Sequence, residues 1–128
     1  GALVADRLRK QYIYVRPTPK GHGLKNQIEG SLSAGSDVIV IEDLISTGMS
    51  SLNAVNAIKN EGSNIKGMLS IFSYSFDFAI EKFKSEKIDL ISLADYNVLI
   101  EIAQEEGIVK DEEIEKLQKW REDPENWM

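Results

Sequence analysis

The chain lacks cysteine and any long apolar run, and each absence excludes a class of protein. Without cysteine there is no disulfide framework, no thiolate metal site and no thiol nucleophile, which fits a cytosolic setting. The longest aliphatic run, Val38 to Ile41, is far shorter than the ~20 residues that span a bilayer. No basic-then-apolar leader opens the chain. We therefore expect a soluble, cytoplasmic protein without a membrane partner, of the size of one domain.

Positive charge is scarce beyond the first part of the chain. Residues 1–36 carry a net charge of +4, whereas the remainder carries −10. A nucleic-acid surface would require a broader basic face, so we expect no nucleic-acid partner. A few clustered cations suit a small polyanion such as a phosphorylated metabolite, with an ordinary solvated surface as the alternative.

Strand and helix patterns alternate along most of the chain. The run from Asp37 to Ile41 predicts a strand buried on both faces, and Leu52, Val55 and Ile58 predict a helix that Ser50 or Ser51 caps. This pattern predicts an α/β fold with an open, mainly parallel sheet and flanking helices. The other predicted elements are a half-helix at residues 1–8, strands at Tyr12–Val15, Met68–Phe72 and Asp89–Ser92, a long loop at 16–30, and helices at Asp77–Lys84, Tyr96–Glu106 and Asp111–Arg121.

Two acids and a short hydroxyl-rich turn follow the first apolar strand. Glu42 and Asp43 come after Val38 to Ile41, and the turn to the next helix contains Ser46, Thr47 and Gly48. Backbone N–H groups at a helix start favour a phosphate, and glycine lets a ligand approach closely. The acids would then face sugar hydroxyls or a cation. The alternative is an ordinary β-α connection in which Asp43 and Ser50 serve only as turn and cap residues.

The stretch resembles the phosphoribosyl pyrophosphate signature of type I phosphoribosyltransferases: four apolar residues, two acids, two apolar residues and a small hydroxyl-glycine turn. The resemblance implies that the acids hold the ribose hydroxyls and that the turn holds the 5-phosphate. The implied phosphoribosyl pyrophosphate site comprises Glu42, Asp43, Leu44, Ile45, Ser46, Thr47, Gly48, Met49 and Ser50.

A basic loop precedes this motif. Its Lys20-Gly21-His22-Gly23 core, ahead of the Ile28-Glu29-Gly30 return, resembles the mobile catalytic loop of orotate phosphoribosyltransferases. The resemblance implies catalytic and phosphoribosyl pyrophosphate-binding roles for Arg16, Lys20 and His22, with Lys20 at the leaving group. Preorganised cations stabilise the charge that develops on departing pyrophosphate. A lone loop histidine is otherwise a solvated residue.

The family resemblance carries further expectations. It implies a homodimer with shared active sites, phosphoribosyl pyrophosphate and orotate as substrates, and Mg2+ held mainly through the substrate pyrophosphate, without protein metal ligands. It also implies that residues 1–128 form the carboxy-terminal part of a single domain, with the catalytic loop at 16–30 and the binding motif at 38–50. The alternatives are a phosphoribosyltransferase for another base, or a non-catalytic regulator that senses phosphoribosyl pyrophosphate.

The chain departs from the family at two positions. Many members carry a lysine where this chain has Pro17, and some carry an orotate-contacting arginine after the strand that ends near Tyr74, where this chain has none. Ser46 matches a position that contacts orotate, so orotate recognition is expected from Ser46 and from groups outside the chain. Trp120 and Trp127 are predicted to staple the last helix to the domain rather than to stack on a base.

Overall fold

Helices and strands alternate in the computed structural model, which describes residues 1–17 and 27–124. The prediction of an α/β fold is confirmed. The elements are α1 (Ala2–Arg7), β1 (Tyr14–Val15), β2 (Ile28–Glu29), β3 (Asp37–Ile45), α2 (Met49–Asn60), β4 (Asn64–Ser73), α3 (Asp77–Ser85), β5 (Leu90–Asp95), α4 (Tyr96–Glu105) and α5 (Asp111–Glu122).

Three parallel strands form the main sheet in the order β3-β4-β5. Their register places Val40 beside Met68 and Met68 beside Leu90. The short strands β1 and β2 pair antiparallel in a separate two-stranded sheet. Because all three long strands run the same way, their carboxyl ends meet at one edge, where ligands of such sheets bind.

The core lies on one side of the main sheet. Helix α2 contributes Leu52, Val55 and Ile58, and Val55 is completely buried. The same cluster contains Phe83 of α3 and Ile28 of β2, so it joins the small sheet to the large one. The helical spacing that predicted α2 therefore marks the face that packs on the sheet.

The opposite face of the sheet is exposed among the described residues. Ile39, Ile71 and Leu93 expose 52%, 61% and 82% of their surfaces. The prediction that the first strand is buried on both faces is therefore wrong for the described part of the chain. An apolar β-branched run indicates a strand that can be buried, but it does not supply the second layer that covers it.

The structure also corrects three predictions about where elements begin and end. Strand β3 continues through both acids to Ile45, because its pairing with β4 continues to Ser73. The prediction of a serine cap is wrong: Gly48 is the residue before α2, and no side chain caps the helix there. The predicted loop 16–30 contains a second strand, β2, that closes a hairpin with β1.

The two closing helices begin at side-chain caps. The backbone N–H groups of Asn97 and Val98 donate to Asp95 Oδ1 at 2.9 and 3.1 Å, which starts α4. At the start of α5 the N–H of Lys110 donates to Glu113 Oε2 at 3.0 Å. Such caps satisfy N–H groups that a helix leaves unpaired.

None of the described helices is both long enough and apolar enough to cross a membrane.

Candidate active site

The two acids of the motif lie in the last part of β3. Glu42 is half-buried and stands in register with Ser70 of β4, which in turn pairs with Ser92 of β5 through an Oγ–Oγ distance of 2.6 Å. Asp43 is exposed, and its Oδ1 accepts a hydrogen bond from the N–H of Leu44 at 2.7 Å.

The carboxylates of Glu42 and Asp43 form no ion pair within residues 1–17 and 27–124, where the ion pairs involve other acids. A carboxylate at the surface end of a strand without a cationic partner can accept hydrogen bonds from a ligand's hydroxyl groups. Both acids are therefore available for a polyhydroxylated ligand.

The turn from β3 to α2 depends on Gly48. Its φ is +74°, in the left-handed region, and a Cβ at this position would lie 2.7 Å from the Phe83 ring. Two independent constraints, backbone conformation and close packing, thus require glycine here. Ile45, at the end of β3, and Phe83 of α3 are both almost completely buried next to the turn.

The start of α2 presents N–H groups without a capping side chain. The N–H of Met49 donates a hydrogen bond of 3.4 Å to Thr47 Oγ1. Met49, Ser50 and Thr47 are exposed, so the turn is open to solvent. A 12-residue helix that begins in this way has the partial positive charge and the donors that bind a phosphate.

The remaining motif residues differ in how far their side chains are buried. Leu44 is exposed and Ile45 is buried, which makes Ile45 a structural member of the motif. Ser46 is half-buried at the turn and borders a cavity together with Thr47. Residues 42–50 thus run along the carboxyl end of β3 and the start of α2, and the binding roles predicted for them stay predictions.

Arg16 lies at the base of the β1–β2 hairpin. Its guanidinium forms an ion pair with Glu29, and both side chains are partly exposed. Its backbone pairs with Gln27, whose side chain donates to the Arg16 carbonyl at 2.7 Å. A partly exposed pair contributes only about 0.2–1 kcal/mol, so Glu29 holds the Arg16 guanidinium only weakly. Lys20 and His22 lie outside the described residues.

An aromatic pocket beside the turn was not anticipated from the sequence. The cavity measures about 280 Å³ and opens next to the two hydroxyl residues of the turn. The available signal was the recurrence of aromatic residues at every second position between 72 and 78. Its lining residues are Ser46, Thr47, Tyr74, Phe76, Phe78, Trp120 and Pro124.

Trp120 fixes α5 to this pocket. Its ring lies 5.6 Å from Tyr74, 5.9 Å from Phe76 and 5.3 Å from Tyr96. The prediction that Trp120 staples the last helix is confirmed, and Trp127 lies outside the described residues. Burial raises the pKa of Tyr96, the neighbouring Tyr74 raises it further, and Arg121 opposes the shift. Tyr96 therefore stays protonated at neutral pH and donates to the carbonyl of Leu117 at 3.3 Å.

Solved structures place this arrangement in a known class. The fold is similar to an orotate phosphoribosyltransferase from Aeropyrum pernix, with a TM-score of 0.71 and 29% identity over 85% of this chain and 59% of that one. It is also similar to an adenine phosphoribosyltransferase from Leishmania tarentolae, with a TM-score of 0.62 and 21% identity over 77% and 56% of the two chains, which supports the fold alone. The fold is that of the type I phosphoribosyltransferases.

Sequence comparison gives a more specific match than the fold does. An orotate phosphoribosyltransferase from Phocaeicola vulgatus is 49% identical over 127 residues, which cover 99% of this chain and 60% of the relative. No protein-family model matches the chain. The chain is thus similar to orotate phosphoribosyltransferases along nearly all of its own length, as the motifs predicted, and it spans about 60% of the length of the curated relatives that it matches.

Proposed function

We propose that the protein containing this chain transfers the phosphoribosyl group of phosphoribosyl pyrophosphate to orotate, in the pathway to uridine monophosphate. The products are orotidine 5'-phosphate and pyrophosphate. The observation that carries the proposal is the start of α2 at Gly48, which has no capping side chain and comes a few residues after Glu42 and Asp43, two carboxylates that form no ion pair with any described residue. One edge thus offers donors for a phosphate and acceptors for ribose hydroxyls.

The substrate is proposed to bind with its 5-phosphate on the turn 46–50 and its ribose near the two acids. The N–H groups at the start of α2, together with the hydroxyls of Ser46, Thr47 and Ser50, would surround the phosphate oxygens. Carboxylates repel phosphate, so the acids favour the opposite end of the sugar-phosphate. This opposition of charge orients the ribose along β3.

The reaction breaks the bond between the ribose C1 and pyrophosphate and forms a bond from that carbon to a ring nitrogen of orotate. The nitrogen loses its proton to solvent, and pyrophosphate leaves with the electron pair of the broken bond. Negative charge therefore grows on the leaving group, and cations placed there lower the barrier. Arg16, Lys20 and His22 are the side chains that we assign to this task.

The basic loop is proposed to close over the substrate of the partner subunit in a homodimer. Such closure would exclude water that would hydrolyse the activated ribose. At the base of the loop, Arg16 would exchange its ion pair with Glu29 for the substrate. Pro17 leaves the loop without the second lysine that many relatives have.

Mg2+ is proposed to enter with the substrate pyrophosphate. Within the described ranges, no group of three or more metal-binding side chains is arranged to hold an ion. In phosphate-processing sites Mg2+ binds through substrate phosphates with few protein ligands. When bound, the ion would neutralise part of the charge on the leaving group.

The direct test is orotate consumption, followed by ultraviolet absorbance, in the full-length protein that carries this chain. We expect consumption that requires phosphoribosyl pyrophosphate and releases pyrophosphate in equal amount. Turnover of adenine or another base in place of orotate would assign a different acceptor. Tight binding of phosphoribosyl pyrophosphate without turnover of any base would favour a regulator.

A further inference from the structure

The turn at residues 46–50 contains no lysine or arginine, although we propose that it binds a phosphate monoester. Such a phosphate carries a charge of about −1.5 to −2 at neutral pH, whereas the start of a helix supplies the equivalent of only about +0.5. The carboxylates of Glu42 and Asp43 add negative charge a few residues earlier in the chain. A cation from another element would therefore strengthen the binding of phosphate at this turn.

Helix α3 packs directly against the turn. The ring of its Phe83 lies so close to Gly48 that a Cβ added there would come within 2.7 Å of it. Phe83 is 2% exposed and belongs to the same core cluster as Leu52 and Val55 of α2. Because core side chains are closely packed, this contact determines where the residues beside Phe83 stand relative to the start of α2.

Lys82, the residue before Phe83, extends its ammonium group to the start of α2. Its Nζ donates to Sδ of Met49, the first residue of that helix, at 2.6 Å. Both residues are exposed, so a phosphate that reaches the turn from solvent also reaches this ammonium. A thioether is a weak acceptor, and a lysine ammonium carries three donors. The contact with Met49 therefore holds the cation near the turn without competing strongly with a phosphate.

The neighbouring lysines differ from Lys82 because carboxylates already hold them. Lys84 Nζ lies 2.9 Å from Glu81 Oε1, and Lys59 Nζ, in the last turn of α2, lies 3.6 Å from Glu86 Oε2. Lys82 forms no ion pair with any residue in the ranges 1–17 and 27–124. An ammonium without a carboxylate partner loses no ion pair when it binds an anion, so Lys82 is better suited to a phosphate than Lys84 is.

We propose that Lys82 binds the 5-phosphate of the phosphoribosyl substrate and supplies the positive charge that the turn lacks. This inference rests on the function proposed above, and it adds to that site a residue from outside the motif at 38–50. The phosphate would lie between the N–H groups at the start of α2 and the ammonium group from α3. Two helices, rather than one β-α connection, would then bind the same anionic group.

The test compares the binding of ribose 5-phosphate to the full-length protein and to its Lys82 variants. Lys82→Gln removes the charge and keeps a polar side chain, so the Kd measured by calorimetry should rise about tenfold. The KM for phosphoribosyl pyrophosphate should rise with it, whereas the KM for orotate should stay within about twofold of the parent value. Lys82→Arg should recover most of the affinity because it keeps the charge. The melting temperature should change little in either variant, since Lys82 is exposed.

Lys84→Gln is the matched control, because it removes a cation of the same helix that already pairs with Glu81. Its Kd for ribose 5-phosphate should stay near that of the parent. A Kd within about twofold of the parent in folded Lys82→Gln, or an equal rise in Lys84→Gln, would overturn the inference. Failure of the parent protein to consume orotate, which is measured separately from the binding of ribose 5-phosphate, would instead reject the proposed function.

Discussion

The turn at residues 46–50 and the basic hairpin around residues 16–30 serve the same proposed site but are built in opposite ways. The turn lies between β3 and α2 and rests on Ile45 and Phe83, which are almost completely buried. The hairpin has two residue pairs between its strands and an exposed ion pair at its base. Core packing thus determines the turn, whereas the described part of the hairpin has few backbone pairs and reaches the core through Ile28.

Gly48→Ala tests how strictly the core determines the turn, and we expect the largest free-energy change here. The left-handed φ costs about 1–2 kcal/mol in alanine, and the overlap of the new Cβ with Phe83 adds about 1–3 kcal/mol. Urea unfolding measures the sum. Gly35→Ala is the matched control, because Gly35 has a similar φ of +79° and no atom within 4 Å of its added Cβ. Equal losses in both variants would mean that Phe83 does not constrain the turn.

Lys20→Ala tests the catalytic role that we assign to the basic loop. Lys20 is assigned to charge that appears only in the transition state, so turnover should fall on the order of 100-fold while the Michaelis constants change much less. Steady-state kinetics of the full-length protein measure this split. Lys25→Ala, which removes a cation from the same loop, should cost far less. Near-normal turnover without Lys20 would remove the catalytic assignment from this residue.

Mixing two impaired variants, assayed at a phosphoribosyl pyrophosphate concentration below the Kd of Asp43→Asn, shows whether hairpin and turn of one subunit serve different sites. If the loop acts across a dimer, Lys20→Ala and Asp43→Asn proteins should form heterodimers with one intact site, so random exchange restores about a quarter of the sites. Activity is measured after subunit exchange, and mass spectrometry verifies the exchange. No gain in activity despite verified exchange would place loop and turn in the same subunit's site.

The acid variants should have the smallest effect. Glu42→Gln and Asp43→Asn each remove a charged acceptor for a ribose hydroxyl, so the Kd for phosphoribosyl pyrophosphate should rise about tenfold. The melting temperature should stay near that of the parent, because neither acid has an ion-pair partner among the described residues. Calorimetry measures both quantities. Asp37→Asn, at the opposite end of β3, is the control and should leave the Kd unchanged, and an equal effect there would indicate a change in the strand rather than a lost contact.

The sequence predicted those parts of the site that consist of neighbouring residues. The order from β3 to α5 follows from apolar periodicity, and the motif at 42–50 was found because one strand, one turn and one helix start follow each other directly. The exact ends of the strands were less predictable from the sequence. The acids were expected beyond the strand, and they belong to it because pairing with β4 continues to Ser73. Such pairing depends on a strand more than 20 residues away in the chain, which local propensity does not describe.

By itself, the sequence determined the alternating fold, the position of the turn that we propose to bind phosphate, and the glycine that this turn requires, because each depends on the conformations of adjacent residues. The tertiary structure alone decided which aromatic side chains surround Ser46. That pocket combines the turn, the end of β4, the start of α3 and the last turns of α5, and Arg121 reaches Ser75 across 46 positions of the chain. It likewise decided that one face of the sheet is covered by α2 and α3, since burial depends on which elements pack together and not on the apolar character of a strand.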